Sequence, residues 1–120
     1  MQTILFVDDD TTIVECYSDI FRTLGYDIAT ETDSRAVIDR YNAGERFPAV
    51  VIDRGLPFLS GTELAATIRR NDPTARIVIA SGHSWETLPE KERMIMTHLD
   101  ISFISKPFSS DDLLKLLTFS

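Results

Sequence analysis

Cysteine is almost absent from this sequence. The single residue of this type, Cys16, cannot form an internal disulfide, and this scarcity fits a reducing compartment. Cys16 falls among apolar residues with helical spacing, which predicts a small buried side chain rather than a reactive thiol. The composition therefore argues against a disulfide-stabilised scaffold and against thiol chemistry.

Long apolar runs and an excess of positive charge are also missing. No segment is long enough for a transmembrane helix, and no basic-then-apolar leader precedes the stretch TILFV, so we expect a cytoplasmic protein without membrane contact. The 12 basic and 19 acidic residues give a net charge of -7, which disfavours direct binding to nucleic acid. A length of 120 residues suits one domain, residues 1–120, with no output domain in this chain.

Short apolar runs recur along the chain at intervals of about 25 residues, the spacing of strand, crossover helix and strand. They read TILFV, YDIAT, AVVI, RIVIA and ISFI, and they predict five strands. The segment after the first run has apolar residues at three-and-four spacing before a stop at Gly25. This pattern predicts a helix with one apolar stripe: Ile13, Tyr17, Ile20, Phe21 and Leu24.

Start signals predict the other helices. Ser60 begins a capping box, Thr87 begins a second with proline in its first turn, and Ser109 precedes the last helix. Residues 33–43 form a weaker helical pattern. Asp10 is interpreted as a helix N-cap or first-turn acid without a metal role.

Strictly alternating strands and helices predict an α/β fold. The central runs are apolar on both faces, as in VVI and IVIA, which is typical of a parallel sheet covered on both sides. Right-handed crossovers then give a doubly wound five-stranded parallel sheet in a flavodoxin-like three-layer sandwich. In such sheets ligands bind beyond the carboxyl ends of the strands.

The predicted strands end in side chains suited to phosphate chemistry. Asp8 and Asp9 follow the first strand, Asp53 ends the third, Ser81 ends the fourth and Lys106 follows the fifth. Grouped carboxylates with room for water suit octahedral Mg²⁺. A lysine and a hydroxyl would neutralise a phosphoryl group during transfer. Because no glycine-rich phosphate cradle, GxxxxGK or HExxH motif occurs, an aspartate is the candidate acceptor.

Four segments carry a resemblance to a known family: ILFVDDD, VVIDRGLPFLSG, IVIASG and FISKPF. In this order and spacing they resemble the receiver domain of two-component response regulators, over essentially the whole chain. The most specific part is Asp53 with Leu56-Pro57 and Gly61, combined with the distant stretch KPF.

The resemblance implies a role for each matching residue. Asp53 corresponds to the phosphoacceptor, Asp8 and Asp9 to the acidic metal pair, and Lys106 to the family's lysine. The carbonyl of Gly55 is implied as a further metal ligand. The resemblance also assigns the hydroxyl and the aromatic residue of the conformational switch, Ser81 and Phe103.

The same resemblance implies partners. A histidine kinase or a histidine phosphotransfer protein would supply the phosphoryl group, and a downstream protein would contact the fourth and fifth helices. The chain matches either a free-standing receiver or the receiver of a hybrid histidine kinase. Its departures from the family pattern are Gly82, the pair Leu99-Asp100 and extra residues before Lys106, all in the region that reports phosphorylation.

A second interpretation begins from the first strand. ILFVDDDTT also fits the hhhhDxDxT signature of haloacid-dehalogenase-type phosphohydrolases, with Asp8 as nucleophile and Asp10 as general acid. Those enzymes need another acidic strand end after their lysine, whereas Asp111 and Asp112 begin a helix here. The hydrolase interpretation also leaves Asp53 unexplained, so the receiver interpretation is preferred.

Overall fold

The sheet holds the five predicted strands. A computed structural model of the chain describes residues 3–117. All strand pairs are parallel, in the order β2-β1-β3-β4-β5. The strands are β1 (Thr3–Val7), β2 (Asp27–Glu31), β3 (Ala49–Asp53), β4 (Arg76–Ser81) and β5 (Ser102–Ser105). The doubly wound α/β prediction is confirmed, and the winding reverses between β1 and β3.

Helices cover both faces of the sheet, as parallel strands require. They are α1 (Thr11–Thr23), α2 (Ser34–Asn42), α3 (Gly61–Asn71), α4 (Glu90–His98) and α5 (Ser110–Leu117), with a 3-10 turn at Trp85–Thr87. Side chains of α1 and α5 share one buried cluster with Ile4 and Phe6, and those of α2, α3 and α4 share the other with Leu5 and Val7. Among residues 3–117, no helix combines the length and apolarity needed to cross a bilayer.

Most predicted helix starts are confirmed. The Ser60 side chain accepts a hydrogen bond from Glu63 N–H, and that of Ser109 accepts one from Asp112 N–H. The Asp10 carboxylate caps α1 through the N–H groups of Thr12 and Ile13.

The capping box at Thr87 is wrong. Thr87 ends the 3-10 turn, its hydroxyl donates to the Ser84 carbonyl, and α4 begins only at Glu90 after Pro89. The Thr87 hydroxyl, which the sequence pattern assigned to the helix cap, is instead used within the 3-10 turn. As a result α4 has no side-chain cap at its N-terminus.

The apolar stripe predicted for α1 is partly confirmed, since Phe21 is buried and Ile13 and Tyr17 are half-buried against the core, but the centre of the buried face is shifted by about one residue. The buried positions are Val14, Ser18 and Phe21, whereas Ile20 and Leu24 are exposed. A buried serine interrupts the apolar pattern and so concealed the true inner face. Because of this shift Cys16 lies on the outer face and is exposed, so the prediction of a buried cysteine is wrong.

The turn between α4 and β5 is held from α3. Asp100 has a φ of 56°, in the left-handed region that few side chains favour. The Arg69 guanidinium donates to the carbonyl oxygens of Leu99, Asp100 and Ala75, at 2.9, 3.1 and 2.7 Å. This arginine therefore fixes the Leu99-Asp100 pair, one of the departures from the family pattern, against the start of β4.

Candidate functional site

The strand ends bring the predicted acidic residues together. Val7 of β1 pairs with Ile52 of β3, so Asp8 and Asp53 follow at the same edge of neighbouring strands. One carboxylate oxygen from each of Asp8, Asp9 and Asp53 lies within 4.8 Å of the others. Asp8 is buried, Asp53 is half-buried and Asp9 is exposed, so the cluster opens to solvent on one side.

Lys106 joins two of these carboxylates. Its Nζ donates to Asp8 Oδ2 at 2.8 Å and to Asp53 Oδ1 at 2.7 Å. Its backbone N–H donates to the Ser81 carbonyl at 2.7 Å, which continues the β4–β5 pairing by one residue. The lysine predicted from the sequence therefore reaches the acidic cluster directly.

Asp53 and Lys106 both have a raised pKa. Burial raises the pKa of the Asp53 carboxyl, and the charge of Asp8 adds to this increase, which outweighs the opposing hydrogen bond from Lys106. Burial lowers the pKa of the Lys106 ammonium, but its hydrogen bonds to Asp53 and Asp8 outweigh that effect. The cluster of three carboxylates thus contains one ammonium, which contacts two of them, and the remaining negative charge favours a bound cation.

The donor set fits Mg²⁺. Carboxylate oxygens are hard ligands, and the open side at Asp9 leaves room for the waters that Mg²⁺ retains. Gly55 lies beside the cluster, because a Cβ built on it would be 3.6 Å from Asp53 Oδ2. The backbone that carries the predicted carbonyl ligand is therefore close to the carboxylates.

Gly61 explains the turn behind Asp53. A Cβ at this position would lie 2.3 Å from the Asp53 carbonyl oxygen and 2.6 Å from the Arg54 Cα, so only glycine fits. The Gly61 N–H donates to the Arg54 carbonyl at 2.9 Å. The start of α3 thus packs directly on the peptide that follows Asp53.

Ser81 and Phe103 lie on neighbouring strands. The Ser81 side chain is buried at the end of β4, and its Oγ accepts a hydrogen bond from the His83 N–H at 3.0 Å. Phe103 on β5 is half-buried, and its ring centroid lies 5.6 Å from that of Trp85. Phe103 therefore packs against the loop that follows Ser81.

The hydrolase interpretation does not match the contacts of its two aspartates. Asp8 is only 2% exposed, and its Oδ1 accepts from the Asp10 N–H while its Oδ2 accepts from Lys106. The Asp10 carboxylate caps α1 and is not positioned as a general acid. Asp111 and Asp112 lie in the first turn of α5, as expected.

The sequence analysis missed one set of contacts beside the site. Arg54, the residue after Asp53, forms an ion pair with Glu92 of α4, and Thr62 of α3 donates to the same carboxylate. Partners 38 residues apart leave no local pattern. An acid in the first turn of a helix is also expected for dipole reasons alone, so Glu92 gave no distinctive signal.

Comparisons with known proteins agree with this geometry. The family model of the response regulator receiver domain matches residues 4–118. The chain belongs to this family. Receiver domains of two-component systems are phosphorylated on an aspartate and act as switches, and the family binds Mg²⁺ at an acidic pocket. The hydrolase alternative finds no support among these comparisons.

The chain is similar to several characterised relatives. It is 29% identical over 112 residues to the tetrathionate response regulatory protein TtrR of Salmonella typhimurium, which covers 91% of this chain and 51% of that protein. It is 27% identical over 119 residues to the chemotaxis protein CheY of Thermotoga maritima, and that match covers 95% of this chain and 92% of CheY. The chain spans about half the length of several curated relatives that it matches.

A solved structure shares both fold and sequence similarity. The response regulator TrrA of Thermotoga maritima, in complex with Mg²⁺ and BeF, superimposes with a TM-score of 0.82 at 26% identity. The match covers 98% of this chain and 100% of that one. A CheY-like receiver domain from Methanospirillum hungatei has a TM-score of 0.84 at 24% identity and supports the fold.

Proposed function

We propose that Asp53 accepts a phosphoryl group from the phosphohistidine of a histidine kinase or a histidine phosphotransfer protein. Loss of that group to water resets the domain. The observation that carries the proposal is the double contact of Lys106 Nζ with Asp53 Oδ1 and Asp8 Oδ2, beside the exposed Asp9 carboxylate. This arrangement places an acceptor oxygen, a positive charge and further oxygen ligands together at one edge of the sheet.

Asp53 is the nucleophile in this scheme. A carboxylate oxygen attacks phosphorus, the new P–O bond forms as the P–N bond breaks, and the imidazole leaves with the electron pair. Partial burial removes water from the Asp53 carboxylate and holds it at the end of β3. Because the site is built before the donor arrives, positioning supplies much of the acceleration.

Lys106 and Ser81 stabilise the transferred group. The Lys106 ammonium already contacts Asp53 and neutralises charge on the phosphoryl oxygens as transfer proceeds. The Ser81 hydroxyl accepts from the His83 N–H, and its own proton is available to donate to a phosphoryl oxygen. Asp8, Asp9, Asp53 and the Gly55 carbonyl would hold Mg²⁺, which supplies further charge neutralisation when bound.

Phosphorylation changes the conformation of the domain, and a downstream protein recognises that change at α4 and α5. When Ser81 turns towards the phosphoryl group, space opens that the Phe103 ring can enter, and the Trp85 loop repacks because it contacts that ring. A downstream protein then meets a different surface of the two helices. The phosphoryl group thus acts through packing as well as charge.

Covalent phosphoryl uptake tests the proposal. The protein is incubated with a small acyl phosphate, with and without Mg²⁺, and its intact mass is followed. We expect one added phosphoryl group only with Mg²⁺, none for Asp53→Asn, and normal uptake for the control Asp39→Asn on the exposed face of α2. Uptake by Asp53→Asn, or sustained turnover of simple phosphate esters, would contradict it.

A further inference from the structure

Glu92 connects α4 to two elements next to the phosphoacceptor. Its carboxylate accepts a bidentate pair of hydrogen bonds from the Arg54 guanidinium, one of them 3.0 Å from Nε, and a third from Thr62 Oγ1 at 2.8 Å. The side chains of Arg54 and Glu92 are only 25% and 20% exposed. A bidentate pair sheltered in this way fixes geometry more strongly than an exposed ion pair.

The backbone of Arg54 is hydrogen-bonded both to β4 and to the start of α3, where Thr62 lies. The Arg54 N–H donates to the Ala80 carbonyl of β4 at 2.8 Å, and the Arg54 carbonyl accepts from Gly61 at the start of α3. Thr62 is the next residue of α3, so its position and that of Gly61 change together. The backbone of Arg54 is therefore held between β4 and α3, and Glu92 contacts both the Arg54 side chain and the first turn of α3.

The N-terminal half of α4 has little else to hold it. Met96 is the only buried residue of this helix, and it lies near the C-terminal end. The helix has no side-chain cap at its N-terminus. Leu88, just before the helix, is buried and anchors the preceding loop. Within residues 3–117, the contacts of Glu92 with Arg54 and Thr62 are thus the main polar attachment of the first turn of α4 to the rest of the domain.

We propose that Glu92 is a positioning residue of the phosphoacceptor site. Acting through Arg54 and Thr62, it fixes the segment that follows Asp53 and carries the Gly55 carbonyl, so the position of α4 and the cation affinity of the acidic cluster are coupled. The proposal rests on the function proposed above and adds a route to α4 separate from Ser81 and Phe103. Such coupling is reciprocal, so cation binding also stabilises the first turn of α4.

Magnesium affinity separates this role from a purely structural one. Mg²⁺ alone is titrated calorimetrically into the unphosphorylated protein and two variants. Glu92→Gln should weaken binding by about three- to tenfold, at or below the range known for residues that orient metal ligands. The control Glu90→Gln removes the same charge from the exposed part of the same turn, and we expect its affinity to stay within about twofold, which accounts for long-range electrostatics.

A double-mutant cycle shows whether the effect passes through Arg54. If it does, Arg54→Gln should weaken Mg²⁺ binding by no more than Glu92→Gln does, because the Thr62 contact remains, and the Arg54→Gln/Glu92→Gln pair should bind about as weakly as Glu92→Gln alone. Additive losses would overturn the proposed route. A Glu92→Gln protein with a lower melting temperature but unchanged Mg²⁺ affinity would show that the ion pair is only structural.

Amide exchange, measured first in the unaltered protein, provides a second readout. Mg²⁺ should slow exchange in residues 90–96, and Glu92→Gln should remove that slowing. No change in these residues when Mg²⁺ is bound would overturn the inference while leaving the proposed function intact. Failure of the unaltered protein to bind Mg²⁺ would overturn both.

Discussion

Lys106 Nζ lies 2.7 Å from Asp53 Oδ1, and the two residues are 53 positions apart in the sequence. The same ammonium also holds Asp8, so one side chain from the end of β5 joins the ends of β1 and β3. β1, β3, β4 and β5 lie side by side in the sheet, so these three residues meet only when those four strands are in register. The contact therefore depends on correct assembly of most of the sheet.

Lys106→Met should weaken both stability and phosphoryl uptake. Asp8, with a side chain 3% exposed, would lose its ammonium partner, at a cost of about 2 kcal/mol in the free energy of unfolding in chelator. The uptake rate should fall by about 100-fold, the scale of losing one charged donor. Mg²⁺ should raise the melting temperature of the variant more than that of the parent, as calorimetry can measure. Equal increases would argue against the cation and Lys106 sharing these carboxylates.

Lys115→Met provides the matched control. Lys115 is an exposed lysine in the last turn of α5. Its loss should leave uptake and Mg²⁺-dependent stabilisation close to those of the parent.

Asp9→Asn should stabilise the cation-free protein. Asp9 adds a third negative charge to a cluster with one ammonium, so its neutralisation relieves repulsion worth about 0.5–1 kcal/mol. The same change should weaken Mg²⁺ binding by about tenfold or more. Thermal melts in chelator and with Mg²⁺ measure both effects. A gain in stability together with a loss of Mg²⁺ binding is the exchange of stability for function that is expected at active sites. A variant less stable than its parent in chelator would show that repulsion does not dominate.

Tyr41→Phe should stabilise the protein by about 1 kcal/mol. The Tyr41 hydroxyl is buried and has no hydrogen-bond partner among the described residues, so its desolvation is uncompensated. Burial, with a smaller contribution from the charge of Asp72, raises the pKa of Tyr41 to about 12. Urea unfolding measures the gain, and Tyr26→Phe at a half-buried position is the control, with little expected change. A destabilised Tyr41→Phe protein would indicate that the hydroxyl has a partner in solution.

A phosphoryl mimic should alter the segment between Gly82 and Leu99. We expect beryllofluoride with Mg²⁺ to change Trp85 fluorescence, because Trp85 contacts the Phe103 ring, and to slow amide exchange across residues 82–99. Ser81→Ala should largely remove both effects, whereas Ser84→Ala, at an exposed position of the same loop, should retain them. Unchanged exchange in this segment with Asp53 occupied would place the switch elsewhere.

The sequence predicted the sheet and its functional edge well for a physical reason. Buried parallel strands are short and apolar, and a residue such as Asp53 at a strand end must lie at the edge where ligands bind. The helices were harder to predict, because a shift of one residue in the apolar pattern turns a different face of the helix towards the core. In α1, buried Ser18 interrupts the apolar stripe, and near α4 the 3-10 turn takes up Thr87.

Long-range side-chain contacts could not be predicted from the sequence, for a different reason. The pairing of Arg54 with Glu92 depends on how far α4 lies from the end of β3, and no local pattern encodes that distance. Lys106 was predicted to reach the site because its strand end placed it there. Glu92 lies on a helix whose position only the packed structure reveals.

Mapping the phosphorylated residue tests the central claim most directly. The protein is phosphorylated with a small acyl phosphate and Mg²⁺, the acyl phosphate adduct is reduced with labelled borohydride, and the labelled peptide is sequenced. We predict that the label lies on Asp53 alone. Label on Asp8 would contradict the receiver mechanism proposed here and would restore the hydrolase interpretation.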